Sequence, residues 1–165
     1  MGRVWVFGDN INTDVMYPHI CYTVPENERP KYTMWANRPG WARMVKEGDI
    51  LVAGKNFGMG SSRPAAANLR ALGISCVLAE SVNGLFFRNS VNFGLPLATV
   101  PDIKTSVSEG ERISIDLDLG TVTTESGKLL NFKPLPAFLL EILDAGGIIE
   151  ILKKKGCLDF SPSWD

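Results

Sequence analysis

Between Asp49 and Val100 the chain alternates short apolar runs with longer helix-like runs, and this alternation restricts the fold more than any other feature. Asp49 to Ala53, Ser75 to Ala79 and Leu95 to Val100 have strand length and strand composition. Pro64 to Leu72 and Leu85 to Asn92 have helical character, with Gly73 and Gly94 placed to stop them. Three strands joined by two helices require right-handed crossovers and hence a parallel sheet. Arg3 to Phe7 reads as an earlier strand, and Trp41 to Glu47 as a short helix closed by Gly48. Beyond Pro101 the texture changes. Arg112 to Leu117 alternates with period two, and 121–124 and 128–132 are short strands punctuated by Gly120 and Gly127. That pattern predicts an antiparallel meander. Leu135 to Leu143 has helical apolar spacing ended by Gly146-Gly147, and 148–154 reads as a last short helix. The expected class is α/β: a parallel core plus a smaller antiparallel meander, in a single domain spanning 1–165.

Composition narrows the function. With 45% hydrophobic residues the chain can fill a core, and its formal net charge of −1 gives no footprint for nucleic acid. No apolar run approaches membrane-spanning length and no signal peptide opens the chain, so no membrane role is expected. Cys21, Cys76 and Cys157 are odd in number and share no C-x-x-C spacing, which speaks against a disulfide framework and against a metal site built by this chain alone. A reducing, cytoplasmic setting fits. Cys76 lies in an apolar run and reads as an inert core residue; Lys153-Lys154-Lys155 reads as a solvated helix end.

The chemistry concentrates in Asn56-Phe57-Gly58-Met59-Gly60-Ser61-Ser62-Arg63, between a predicted strand and a predicted helix. Helix-terminal N–H groups and the positive end of the helix dipole favour an anion at such a turn. The Arg63 guanidinium adds a fork suited to carboxylate or phosphate. Because Arg63 precedes Pro64, it is expected just outside the helix, with Pro64 at the first helical position and the guanidinium open to a ligand. Ser61 and Ser62 sit at the mouth of that helix, where Arg63 could stabilise an alkoxide. Asp14, with Asp9, lies in the loop beyond the first strand, at the sheet edge where open α/β folds bind ligands. His19 is the sole histidine and reads as a loop residue, so a serine hydrolase has no evident base. Arg88-Asn89 is a second polar cluster, for which structural pairing is expected. Residues 15–40, rich in proline and aromatics, read as a long irregular stretch that contacts substrate or a partner.

Laid out in this order, the residues resemble the small-subunit family of 3-isopropylmalate dehydratase (isopropylmalate isomerase), in the aconitase superfamily. The likeness runs through Gly8-Asp9-Asn10-Ile11-Asn12-Thr13-Asp14, Glu47-Gly48-Asp49, the Val52 to Arg63 segment, Leu85 to Asn89, Asn92 to Pro96 and Asp144-Ala145-Gly146-Gly147. The resemblance implies a swivelling β/β/α domain closing over a large partner subunit. It implies a 4Fe-4S cluster on that partner, activating the substrate hydroxyl as a Lewis acid, with no metal held by this chain. It implies Ser61 as the base that removes a carbon-bound proton, Asp14 as a second active-site group, and Gly60, Ser62 and Arg63 as binders of a hydroxy-dicarboxylate. In isolation the chain could form a homo-oligomer.

Two departures qualify the resemblance. Pro64-Ala65 stands where the family usually continues with Glu-His or Glu-Gln. The loop after Asp14 reads Pro18-His19-Ile20-Cys21-Tyr22-Thr23, without the arginine usual there; the nearest are Arg29 and Arg38. The readings left open are a subunit acting on 3-isopropylmalate, a paralogue for another hydroxy-acid of dimethylmalate or citramalate type, and a non-catalytic partner module.

Overall fold

The computed structural model describes residues 1–60 and 63–157. In chain order the elements are β1 (Gly2–Val6), α1 (Thr13–Met16), two 3-10 segments (His19–Tyr22 and Glu26–Tyr32), α2 (Trp41–Met44), β2 (Asp49–Ala53), α3 (Ala65–Ala71), β3 (Ile74–Ala79), α4 (Gly84–Asn92), β4 (Leu97–Thr99), α5 (Ile103–Ser106), β5 (Arg112–Asp116), β6 (Thr121–Thr124), β7 (Leu129–Asn131), α6 (Ala137–Ala145) and α7 (Ile148–Lys154). The expected parallel core and meander are both present, and they are one sheet. Its seven strands run β4-β3-β2-β1-β5-β6-β7. β1 is the seam: it pairs parallel with β2 and antiparallel with β5.

The sheet is covered on both faces because alternate residues of each central strand bury in opposite directions. Trp5, Leu51, Ala53, Val77 and Ala79 face one core, which α3 completes with Ala65, Ala66 and Leu69 and α4 with Phe86. Val4, Ile50, Val52, Cys76 and Leu78 face the other, closed by Ile103 and Val107 and by Ile113, Val122 and Phe132 from the antiparallel half. Every residue of β2 is buried. Such two-sided burial explains why Ile50 to Ala53 are continuously apolar rather than alternating. Cys76 is among these core residues, and burial pushes its thiol up to about 12.

Three expectations are corrected. The 15–40 stretch is not structureless: it begins within the short α1 and carries both 3-10 segments, and its Cys21 and Met34 are fully buried. α5 was not foreseen after Pro101; four residues are too few to show helical periodicity. The sixth helix starts at Ala137 rather than Leu135, because Pro136 forms its N-cap.

Candidate functional site

Parallel pairing carries the ends of β1, β2 and β3 to one edge of the sheet, and the three loops beyond them continue to pair. Asn10 N donates to Lys55 O (2.8 Å), Gly58 N to Ile11 O (2.8 Å) and Thr13 N to Met59 O (2.8 Å). Phe57 N donates to Ser81 O (3.0 Å) and Asn83 N to Phe57 O (2.8 Å). The loop after β2 is thus strung between its neighbours as an irregular extra piece of sheet. Two glycines make the path possible. Gly58 has φ +77, and a Cβ there would stand 2.3 Å from the Phe86 side chain. Gly60 has φ +105, and a Cβ there would lie 3.0 Å from Thr13 Oγ1. The chain therefore passes through Gly60 directly against the start of α1.

On the opposite side of this join, Asn12 caps α1 by accepting from Val15 N at 3.0 Å. Capping fixes Asp14 in the first turn, where its side chain is 58% exposed. Arg63 closes the site: Nε lies 2.8 Å from Asp14 Oδ1, and the same guanidinium donates through NH1 to the Tyr17 carbonyl at 2.9 Å. Its carbon sits 5.7 Å from the centre of the Tyr22 ring, which stacks edge-on against Tyr17. Asn89 reaches the Arg63 carbonyl at 3.5 Å.

The structure thus brings Asp14, Gly60 and Arg63 together; Ser61 and Ser62 lie outside the described residues. The Arg63 guanidinium is not the open fork expected of it, since Asp14 and Tyr17 already engage two of its nitrogens. Nor is the anion cradle a helix terminus. Pro64 is the cap of α3, not its first residue, and contributes no N–H. The Ala65 N–H turns back onto Arg63 O at 2.7 Å, and α3 has only seven residues. The expected pairing of Arg88 is also absent: it is exposed and has no ion pair among the described residues, so only Asn89 of that cluster makes a structural contact. His19 packs against the Tyr22 ring at 6.0 Å, as a loop residue would. Arg38 is committed elsewhere, bidentate to Glu109 (2.7 and 2.5 Å) and stacked over Trp5.

A second polar cluster borders the same edge. Asp9 accepts from Lys104 Nζ at 2.7 Å and from Lys55 N at 3.1 Å, and these two bonds hold its carboxyl below the usual range. Asn56 Nδ2 bonds Asn10 Oδ1 at 2.9 Å. The Asp14–Arg63 pair and the Asp9–Lys104 pair join residues tens of positions apart, so no local spacing announces either one.

The region that builds this site is matched by the family profile of the aconitase C-terminal domain, over residues 8–101. A protein of Methanocaldococcus jannaschii named isopropylmalate/citramalate isomerase small subunit is 45% identical, covering 93% of this chain and 94% of its own length. A 3-isopropylmalate dehydratase small subunit of Thermotoga maritima is 42% identical over 94% of this chain and 95% of its own. A crystal structure of 3-isopropylmalate dehydratase from Methanocaldococcus jannaschii superposes with a TM-score of 0.86 at 33% identity, covering 94% of both chains. The chain belongs to the aconitase C-terminal domain family and, within it, to the family of 3-isopropylmalate dehydratase small subunits.

Proposed function

We propose that this chain is the small subunit of a hydro-lyase that dehydrates and rehydrates a 2-hydroxy dicarboxylate such as 3-isopropylmalate, in the cytoplasm, with a large subunit that carries a 4Fe-4S cluster. The observation that supports this most is the Asp14–Arg63 pair, held at 2.8 Å where the loops after β1 and β2 join, with Arg63 in the same short motif as Ser61. Among the described residues no three His, Cys, Asp or Glu side chains are grouped to hold a metal ion. The proposal places the cluster, and with it activation of the leaving hydroxyl, on the partner.

In this proposal each residue has its own role. Asp14 orients the Arg63 guanidinium from one side and the Tyr17 carbonyl from another, so Arg63 meets a carboxylate without first ordering itself. Gly60 lets the turn pass close to Thr13 without a side chain of its own. Ser62 and Arg63 bind substrate carboxylate, and Ser61 takes the proton from carbon. A serine is a weak base in water unless a nearby positive charge stabilises its alkoxide.

The test is reconstitution. The lone chain should show no turnover, and adding the large subunit under anaerobic conditions should restore it. Arg63→Lys should raise KM, because an ammonium cannot reproduce the fork. Turnover by the lone, iron-free chain would overturn the proposal. The name carried by the 45%-identical relative favours a second reading of substrate, in which the acid has the smaller methyl branch of citramalate. Comparing kcat/KM for the two acids on the reconstituted complex decides between them.

A further inference from the structure

We propose that Met59 is a specificity residue of this site: its thioether is the apolar surface against which the alkyl branch of the hydroxy-dicarboxylate packs. The inference rests on the functional reading above and deepens it. It starts from the direction that each residue of the glycine turn takes. Asn56 is exposed and spends its amide on Asn10. Phe57 is fully buried, edge-on to Phe86 with ring centres 5.2 Å apart. A Cβ on Gly58 would collide with the same Phe86 side chain, and one on Gly60 would press on the buried Thr13. Positions 57, 58 and 60 therefore face the protein. Met59 faces out, with its side chain 37% exposed. It is the one apolar side chain that 56–60 present to the surface.

The backbone fixes where that side chain is anchored. Met59 pairs with Asn12 in an isolated parallel bridge, and its carbonyl accepts from Thr13 N at 2.8 Å. Asp14 follows Thr13 directly and lies 2.8 Å from Arg63 Nε. An exposed apolar group is thus held one residue from the carboxylate that orients the guanidinium. The Tyr22 ring, also exposed near Arg63, is already engaged: it lies beside the guanidinium and packs against Tyr17 and His19. A branched hydroxy-dicarboxylate presents two kinds of surface. Its carboxylates are read by charge, and a guanidinium does not distinguish one alkyl branch from another. The branch is read only by apolar contact. Methionine suits that contact, because an unbranched, polarizable thioether fits irregular apolar shapes.

The experiment uses the reconstituted complex with Met59→Gln, which keeps the length of the side chain but not its apolarity, and Met59→Leu, which keeps the apolarity. The probes are 3-isopropylmalate, 3-methylmalate and malate, which differ only in the branch. Each is measured by kcat/KM, or by its inhibition constant where it is not turned over. Met59→Gln should lower kcat/KM for 3-isopropylmalate about tenfold or more, the scale of a few methylenes in an apolar contact. The loss should be smaller for 3-methylmalate and absent for malate. Met59→Leu should stay near wild type on all three. A loss graded by branch size is what a residue that merely supports the turn would not produce. Equal losses on the three acids, or none on 3-isopropylmalate, would overturn the assignment. So would weaker binding of the large subunit by Met59→Gln with the order among the acids unchanged, which would place Met59 in the subunit interface. If the wild-type complex turns over none of a panel of 2-hydroxy dicarboxylates, the functional reading fails instead, and this inference falls with it.

Discussion

The two ends of the β1–β2 pair each hold an arginine–aspartate bridge, and the bridges are built to opposite specifications. At the N-terminal end, Asp49 is buried, with its side chain 6% exposed. It accepts from Arg3 Nε (3.3 Å) and NH2 (2.6 Å), Trp5 Nε1 (2.7 Å) and Lys46 N (3.0 Å). Burial pushes its carboxyl up, but these donors outweigh it and hold the group below the usual carboxylate range. At the C-terminal end, Asp14 is mostly exposed and has a single arginine. The Asp49 carboxylate accepts four hydrogen bonds within the folded chain; Asp14 is 58% exposed beside the glycine turn. The contrast separates a bridge that closes a fold from one poised for a ligand.

The largest expected effect lies at the open end. Ser61→Ala should lower kcat of the reconstituted complex by about 10²- to 10⁴-fold, the span for a positioned acid–base group, and should leave assembly and the denaturation midpoint intact. Turnover near the wild-type rate would assign proton transfer to another group and remove the reason for treating this end as the reactive one. Next comes Asp49→Asn at the closed end. It turns a charged acceptor of several bonds into a neutral amide among donors, at a cost of about 3 kcal/mol, as for a broken buried pair. Urea denaturation of the chain should show that loss, while kcat of the fraction that assembles stays unchanged.

The two ends also differ in how well the sequence displays them. The glycine-serine turn, the strand before it and the helix after it are visible because each is local: consecutive apolar residues, two glycines, then alanines. Asp14 is visible as a polar residue beyond a strand end. Its bond to Arg63 is not, because it depends on β1 and β2 being parallel neighbours whose loops then zip together. The Asp49 network is hidden for the same reason, and Asp49 reads simply as a polar start to a strand. The seam at β1 shows this at the scale of the whole sheet. Alternation along 112–117 reveals a half-exposed strand, but nothing local says it pairs with Gly2 and Arg3. The loop arginines were the least legible. Only the fold shows Arg38 spent on Glu109.

A pH series sharpens the contrast with a smaller effect. The depressed Asp49 carboxyl contributes stability that is fully present above its unfolded pKa, about 3.9, and is lost as pH falls through the folded value. Wild type and Asp49→Asn should therefore differ fully at pH 7 and converge below about pH 4. A gap that stays constant down to pH 3 would mean that Asp49 acts through packing rather than charge.

The smallest expected effect is the stability change in Asp14→Asn, and it tests the comparison most directly. The asparagine keeps the size and the capped first turn, since the cap belongs to Asn12. What is lost is one ion pair whose carboxylate is 58% exposed. Water can replace it at Arg63, and exposed pairs contribute about 0–1 kcal/mol. We expect the urea midpoint to move by no more than about 0.5 kcal/mol equivalent, against the roughly sixfold larger loss at Asp49. Activity should respond differently. Without Asp14, Arg63 loses the carboxylate that orients it from one side, so KM should rise about tenfold or more, a loss of preorganised binding. If Asp14→Asn instead costs as much stability as Asp49→Asn, the C-terminal bridge is a fold-closing element too, and the reactive site must be sought away from it.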